Sequence, residues 1–149
     1  MIAAHGLAVR PPRGWDVRIF RRPPNPPEST YALLHAATFA LPGDVDDYGD
    51  GGVQLMSGRD VFVALVEFDP AAVATALFAR RGFPSRISAN EIRPTGVQRQ
   101  IAEQAGVQRF FSAGGRAWCL YVVVGSYADR RALVPRANEL IGAIEVASK

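Results

Sequence analysis

The segment GVQRFFSAGGRAWCLYVVVGS, residues 106–126, decides the fold because it contains two β-rich runs joined by a pair of glycines. Aromatic and β-branched residues dominate both runs, and such residues favour strands. The glycines of SAGG can adopt the positive φ angles that a tight turn needs. We therefore predict a β-hairpin here, within a mainly antiparallel sheet.

Two earlier segments supply further strands. DVFVALVEFD, residues 60–69, is rich in Val and Phe and predicts a buried strand. YALLHAATFALP, residues 31–42, suits a helix as well as a buried strand, and the proline and glycine clusters on both sides favour the strand. In residues 6–23, two alternating apolar runs flank Pro11, Pro12 and Gly14 and predict another hairpin.

Two segments predict helices. In DPAAVATALFARRGF, residues 69–83, Asp69 is placed to cap the first turn, Pro70 suits the first helical position, and Gly82 can close the helix. Near the C-terminus, Asp129 or Ser126 can cap a helix whose apolar face comprises Leu133, Ala137, Leu140, Ile141 and Ile144. Residues 94–106 fit either a weak helix or an edge strand. The element order predicts one α+β domain, residues 1–149, with a mainly antiparallel sheet flanked by helices.

Composition narrows the class of protein. The chain has 149 residues, of which 48% are hydrophobic and 21% charged, as in ordinary globular domains. Its net charge is +3, but the arginines are scattered along the chain, so we expect no nucleic-acid binding. The longest apolar run, residues 118–124, is too short to span a membrane, and the N-terminus lacks the pattern of a signal peptide. We expect a cytoplasmic protein without membrane contact.

Residues capable of catalysis are few. His5 and His35 are the two histidines, Cys119 is the single cysteine, and Glu67 lies in a strand that we expect to be buried. A packed imidazole at His35 and an inert core thiol at Cys119 are the commoner roles for such residues. No phosphate-binding glycine loop occurs, and no His pair has the spacing of metal ligands. We therefore expect no enzyme activity, no cofactor and no metal.

The loop GDVDDYGDGG, residues 43–52, concentrates four aspartates. Read from Asp44 or from Asp46, it places Leu55 or Ser57 where an EF-hand has its bidentate glutamate, so a calcium site is not favoured. A flexible, solvated connection is the simplest interpretation. If the loop binds a partner, its carboxylates would dock a basic protein or a second copy of this chain. They belong to Asp44, Asp46, Asp47 and Asp50.

The opening GLAVRPPRGW resembles the start of domains in the Mog1/PsbP-like superfamily. The residues that carry the resemblance are Gly6, Leu7, Val9, Pro11 or Pro12, and Trp15. The order of buried strand, helix, hairpin and C-terminal helix is similar to that superfamily over most of the chain. The resemblance implies an α/β/α sandwich and a role in protein interaction or assembly, and it carries over no catalytic residue.

Three functions stay open at this point. The first is a non-catalytic interaction or assembly domain that binds a protein partner, which could be another copy of itself. The second is a small-molecule or lipid-binding domain with a pocket between sheet and helices, for which the candidate lining residues are Tyr31, Phe39, Trp118 and Tyr121. The third is an enzyme, which needs polar groups from distant segments to converge.

Overall fold

The computed structural model describes residues 1–148, which form eight β-strands and one α-helix. The strands are β1 Ile2–Ala4, β2 Leu7–Val9, β3 Asp16–Arg21, β4 Ala32–Ala37, β5 Val61–Phe68, β6 Ala105–Ala113, β7 Arg116–Val124 and β8 Ile144–Val146. The helix, α1, spans Arg130–Ile141. The fold is thus mixed α+β, as predicted, with two antiparallel sheets.

The larger sheet has five strands in the order β3-β4-β5-β7-β6. Its β6–β7 hairpin confirms the prediction from residues 106–126: Ala113 pairs with Arg116, and the intervening Gly114 and Gly115 have φ angles of 61° and 74°. Every residue of β7 is buried, because this strand lies inside the sheet and both of its faces are covered. The strands predicted at residues 31–42 and 60–69 are confirmed as β4 and β5.

The predicted N-terminal hairpin is wrong in its pairing. β2 pairs with β1 and β8 in a three-stranded sheet, whereas β3 pairs with β4 in the larger one. The tight turn lies earlier, at His5 and Gly6, which have φ angles of 51° and 80°. The proline-containing segment between β2 and β3 therefore carries the chain from one sheet to the other.

One face of the large sheet forms the main core with α1 and the small sheet. Apolar side chains from alternate positions of β5 and β7 meet those of α1, and β2 and β8 contribute Leu7, Val9 and Ile144 to the same cluster. Burial of this continuous apolar surface is the main stabilising contribution to such a fold. In α1 the predicted apolar face is confirmed for Leu133, Ala137, Leu140 and Ile141, while Ile144 belongs to β8.

The opposite face of the sheet is covered by irregular chain. The α-helix predicted over residues 69–83 is wrong, because the segment forms two short 3-10 turns, Pro70–Ala74 and Ala76–Phe78. Asp69 does accept a hydrogen bond from the Ala71 N–H, as a cap should. Beyond the turns, the Arg80 carbonyl and the Gly82 N–H bond to the backbone of Ser112 at the edge of β6. These bonds pair backbone N–H and C=O groups that would otherwise be free at the edge of β6. They require residues 80–82 to be extended rather than helical.

One other segment also lacks regular structure. Residues 94–104 form neither the weak helix nor the edge strand that their sequence allows, and only Arg93 bridges to Gly106 beside them. Within residues 1–148, no helix has the length and apolar character needed to cross a bilayer. The large sheet therefore has α1 and the small sheet on one side and turns and loops on the other.

Candidate functional site

The acidic loop, residues 43–52, folds down onto the irregularly covered face of the large sheet. Val45 is buried within it, and the Tyr48 ring meets the Tyr121 ring edge to face, with centroids 5.4 Å apart. Gly49 has a φ angle of 90°, and a Cβ atom there would lie 2.5 Å from the Phe62 ring. The expected flexible, solvated connection is therefore wrong: the loop is a packed part of the fold.

His35 joins the sheet to the acidic loop. Its Nε2 atom lies 2.9 Å from the Asp47 carbonyl oxygen, which can only accept, so Nε2 carries the proton. The ring is 2% exposed and packs between Phe20 and Phe62. Burial lowers the pKa of His35, because a charged imidazolium is poorly solvated there. The interpretation of His35 as a packed, hydrogen-bonded imidazole is confirmed.

The four aspartates of the loop fall into two pairs. Asp47 accepts from the Arg22 Nε at 2.8 Å, and Asp50 accepts from the Arg99 Nη1 at 2.7 Å and from the Gln54 amide. The bond from Gln54, together with Arg99, lowers the pKa of Asp50. Asp44 and Asp46 are exposed, and no salt bridge is described for either among residues 1–148. Asp47 and Asp50 thus hold the loop, while Asp44 and Asp46 face solvent.

Cys119 lies under the acidic loop and is fully buried. Burial raises the pKa of its thiol to about 12. β5 separates β7, which carries Cys119, from β4, which carries His35. His35 aligns through Ala64 with Tyr121, so Cys119 lies two strands across and two residues further along. Strand geometry then places the Cα atoms of His35 and Cys119 roughly 12 Å apart. A His35–Cys119 dyad is not formed.

Glu67 and Arg116 form a buried ion pair on the other face. The Arg116 Nε donates to Glu67 Oε2 at 2.7 Å and its Nη2 donates to Oε1 at 2.9 Å, with side chains 8% and 7% exposed. The same Nη2 donates to the His5 carbonyl at 2.8 Å, and the guanidinium lies over the Trp118 ring. A Cβ atom on Gly6 would lie 2.0 Å from Arg116 Nη1. Gly6 is therefore required for this close approach.

The four residues considered for a ligand pocket do not lie together. Trp118 is in the main core with α1, whereas Tyr121 and Phe39 pack in the cluster under the acidic loop. These faces differ because residues three apart in a strand point to opposite sides. Tyr31 donates from its hydroxyl to Asp69 at 2.9 Å and lines a hollow of about 150 Å³ at the end of β4.

A larger cleft lies between residues 86–91 and residues 131–138 of α1. It encloses about 530 Å³, and Arg86, Arg109 and Arg131 are its basic lining residues. Sequence reasoning missed this site, because the three arginines come from three separate segments. A local signal was present in Ser88 and Glu91, whose spacing is that of a capping box, and the structure forms that box.

Comparisons with protein-family models, with curated proteins and with solved structures find no match. Within residues 1–148, no three His, Cys, Asp or Glu side chains group closely enough to hold a metal ion. The acidic loop and the cleft lined by Arg86, Arg109 and Arg131 are both charged surfaces open to solvent.

Proposed function

We propose that this protein is a non-catalytic interaction or assembly domain that binds a basic protein partner through Asp44 and Asp46 of the acidic loop. The observation that carries the proposal is that two aspartates of the loop are held by hydrogen bonds within the fold, whereas the other two are exposed. Asp47 and Asp50 are held by Arg22, Arg99 and Gln54, while the other two carboxylates are exposed. The loop thus presents negative charge from a fixed backbone.

The fixed backbone matters for affinity. A loop that is disordered when free loses conformational freedom on binding, and this cost weakens the complex. Here Val45 and Tyr48 are already packed, and His35 already holds the Asp47 carbonyl. Exposed carboxylates on a pre-ordered surface also attract and orient a partner with a basic patch. The partner class we propose is a protein with such a patch, and a second copy of this net-positive chain is one member of that class.

The environments of the candidate reactive groups support a non-catalytic role. The pKa of Cys119 is raised to about 12 by burial, so the reactive thiolate is disfavoured. The pKa of His35 is lowered, and its Nε2 proton is engaged by a backbone carbonyl. Both Glu67 oxygens accept hydrogen bonds inside the core. Cys119, His35 and Glu67 are thus each engaged in packing or hydrogen bonding within the fold.

The superfamily resemblance and the cellular location are parts of this proposal. An antiparallel sheet that packs against a C-terminal helix is consistent with the Mog1/PsbP-like expectation. The second helical layer of an α/β/α sandwich is here replaced by 3-10 turns and by the acidic loop. We propose a cytoplasmic protein that binds neither membranes nor nucleic acids, since five of its arginines are engaged in ion pairs with carboxylates.

The test replaces the two exposed carboxylates. We expect Asp44→Asn with Asp46→Asn to reduce the retention of a basic partner protein in quantitative affinity purification, because the charge that attracts it is lost. The matched control, Glu28→Gln with Glu139→Gln, removes the same charge from exposed positions elsewhere. Sedimentation velocity of both variants tests whether the partner is a second copy. If every retained protein is recovered equally with both variants, the proposal fails.

A further inference from the structure

The cleft between residues 86–91 and α1, here called the basic cleft, has the size of a small-molecule site. Its volume of about 530 Å³ lies within the range typical of ligand pockets. Pro135 of α1 is the exposed apolar residue on one side and Ala89 is the partly exposed one on the other, with the buried side chains of Val134 and Ile87 behind them. The basic cleft thus combines an apolar lining with several charged groups.

The walls of the basic cleft are held in place by hydrogen bonds. Asn138 of α1 accepts from the Ile87 N–H at 2.8 Å and donates to the Ile87 carbonyl at 3.0 Å. Ser88 and Glu91 cap each other in the adjoining turn, with the Ser88 N–H donating to Glu91 at 2.7 Å. The segment is therefore fixed against the helix, so a ligand would meet a preformed site.

The charges of the basic cleft are unbalanced. Glu91 is its single carboxylate, and it is engaged by the Arg109 guanidinium, whose Nε donates to Oε1 at 2.7 Å. Burial acts to raise the pKa of Glu91, but the bonds from Arg109 and from the Ser88 backbone outweigh it and hold the pKa below its ordinary value. Arg86 and Arg131 are exposed, and no ion pair is described for either within residues 1–148. Three guanidinium groups against one carboxylate leave a net charge of +2.

We propose that the basic cleft binds a small organic phosphate, with Arg86 and Arg131 holding the phosphate group and the apolar wall contacting the organic part. A guanidinium offers parallel N–H donors that match phosphate oxygens. A phosphate monoester carries a charge of about −1.5 to −2 at neutral pH, which balances the two unpaired arginines. This site is separate from the acidic loop and does not depend on its role.

The test is an NMR titration of the ¹⁵N-labelled protein with phenyl phosphate at about 0.15 M ionic strength, where charges more than about 8 Å from the ligand are largely screened. We expect saturable shifts in the amides of residues 86–91 and 130–138. The Arg86→Gln with Arg131→Gln variant should bind at least about tenfold more weakly, because each lost charge-assisted hydrogen bond weakens binding by about that factor. Inorganic phosphate should bind more weakly than phenyl phosphate, because it lacks the apolar part.

The control variant is Arg10→Gln with Arg13→Gln, which removes the same charge from exposed positions outside the cleft. It should change the affinity by less than about twofold, since its screened charges act only at a distance. An equal loss in both variants would show that binding follows the overall charge and would overturn the proposal. Shifts confined to other regions, or no saturation at millimolar phenyl phosphate, would also overturn it. Thermal unfolding of each variant confirms that it is folded.

Discussion

His35 lies in β4 with 2% of its surface exposed and donates from Nε2 to the Asp47 carbonyl. Because burial lowers its pKa, the folded protein keeps this imidazole neutral at a pH where the unfolded chain, with a pKa near 6.5, binds a proton. The unfolded state then binds more protons than the folded state. Stability must therefore fall as the pH decreases through about 6.5.

We expect the free energy of unfolding, measured with urea, to decrease from pH 7.5 to pH 5.5 by up to about 1.4 kcal/mol. In the His35→Gln variant this dependence should be largely absent, because the glutamine amide can donate to the same carbonyl but does not titrate. The His5→Gln variant, altered at an exposed position, should retain it. The same pH dependence in wild type and His35→Gln would exclude His35 as its source.

The acidic loop, like His35, is part of the packed structure of the sheet face that it covers. Residues 43–52 have the composition of a solvated connection, and the structure instead closes them over Phe62, Tyr121 and Cys119. Gly49 makes this possible, because its backbone has a positive φ and touches the Phe62 ring. The element that is acidic at its surface is therefore apolar beneath.

Gly49→Ala should lower the free energy of unfolding by about 2–4 kcal/mol, since the new methyl group meets the Phe62 ring in a strained backbone conformation. Gly43→Ala is the matched control, because no atom lies within 4 Å of a Cβ atom there. Its effect should stay within about 0.5 kcal/mol. Denaturant unfolding of both variants makes the comparison, and equal stability would mean that the loop does not pack on Phe62.

The segment 69–82 shows why local signals can mislead about an element. Asp69 and Pro70 begin a helical turn as their sequence predicts. Leu77 is 58% exposed, so a longer helix would gain little from burial of its side chain. The edge of β6 instead offers backbone hydrogen bonds to Arg80 and Gly82, and the helical turn ends before them. Capping residues are read from the sequence, but the competing edge of β6 is more than 20 residues away in the chain.

At the scale of the whole molecule, the Glu67–Arg116 ion pair connects the large sheet to the small sheet. Arg116 of β7 contacts Glu67 of β5 and the His5 carbonyl in the turn of the small sheet. Glu67 also accepts from the Ala32 N–H at 3.0 Å, so the pair ties three strands and a turn together. A charge buried to this degree is tolerated only when it is paired.

Glu67→Gln should lower the free energy of unfolding by about 3–5 kcal/mol, because it leaves the Arg116 guanidinium buried without its counter-charge. The double variant Glu67→Met with Arg116→Met removes both charges and should be more stable than Glu67→Gln. Chemical denaturation measures both. A double variant less stable than the single one would show that the unpaired charge is not the cause.

Much of the fold follows from the sequence, because strand formation depends on local alternation and turn residues. The strands β4 to β7, the glycine turn at residues 114–115 and the apolar face of α1 are all visible in this way. The burial of His35 and Cys119 could also be predicted, since both lie within apolar runs. These features need only neighbours within a few residues.

Tertiary structure alone decided which strands pair outside the β6–β7 hairpin, what covers the second face of the large sheet, and where charge remains free. β2 joins β8 at the other end of the chain, and Gly6 is needed because Arg116 approaches it from a distant strand. Asp44 and Asp46 differ from Asp47 and Asp50 only in what the fold places beside them. Arg86, Arg109 and Arg131 likewise form one cleft only after folding. Contacts between distant residues depend on the complete packing of the chain, and no local pattern encodes them.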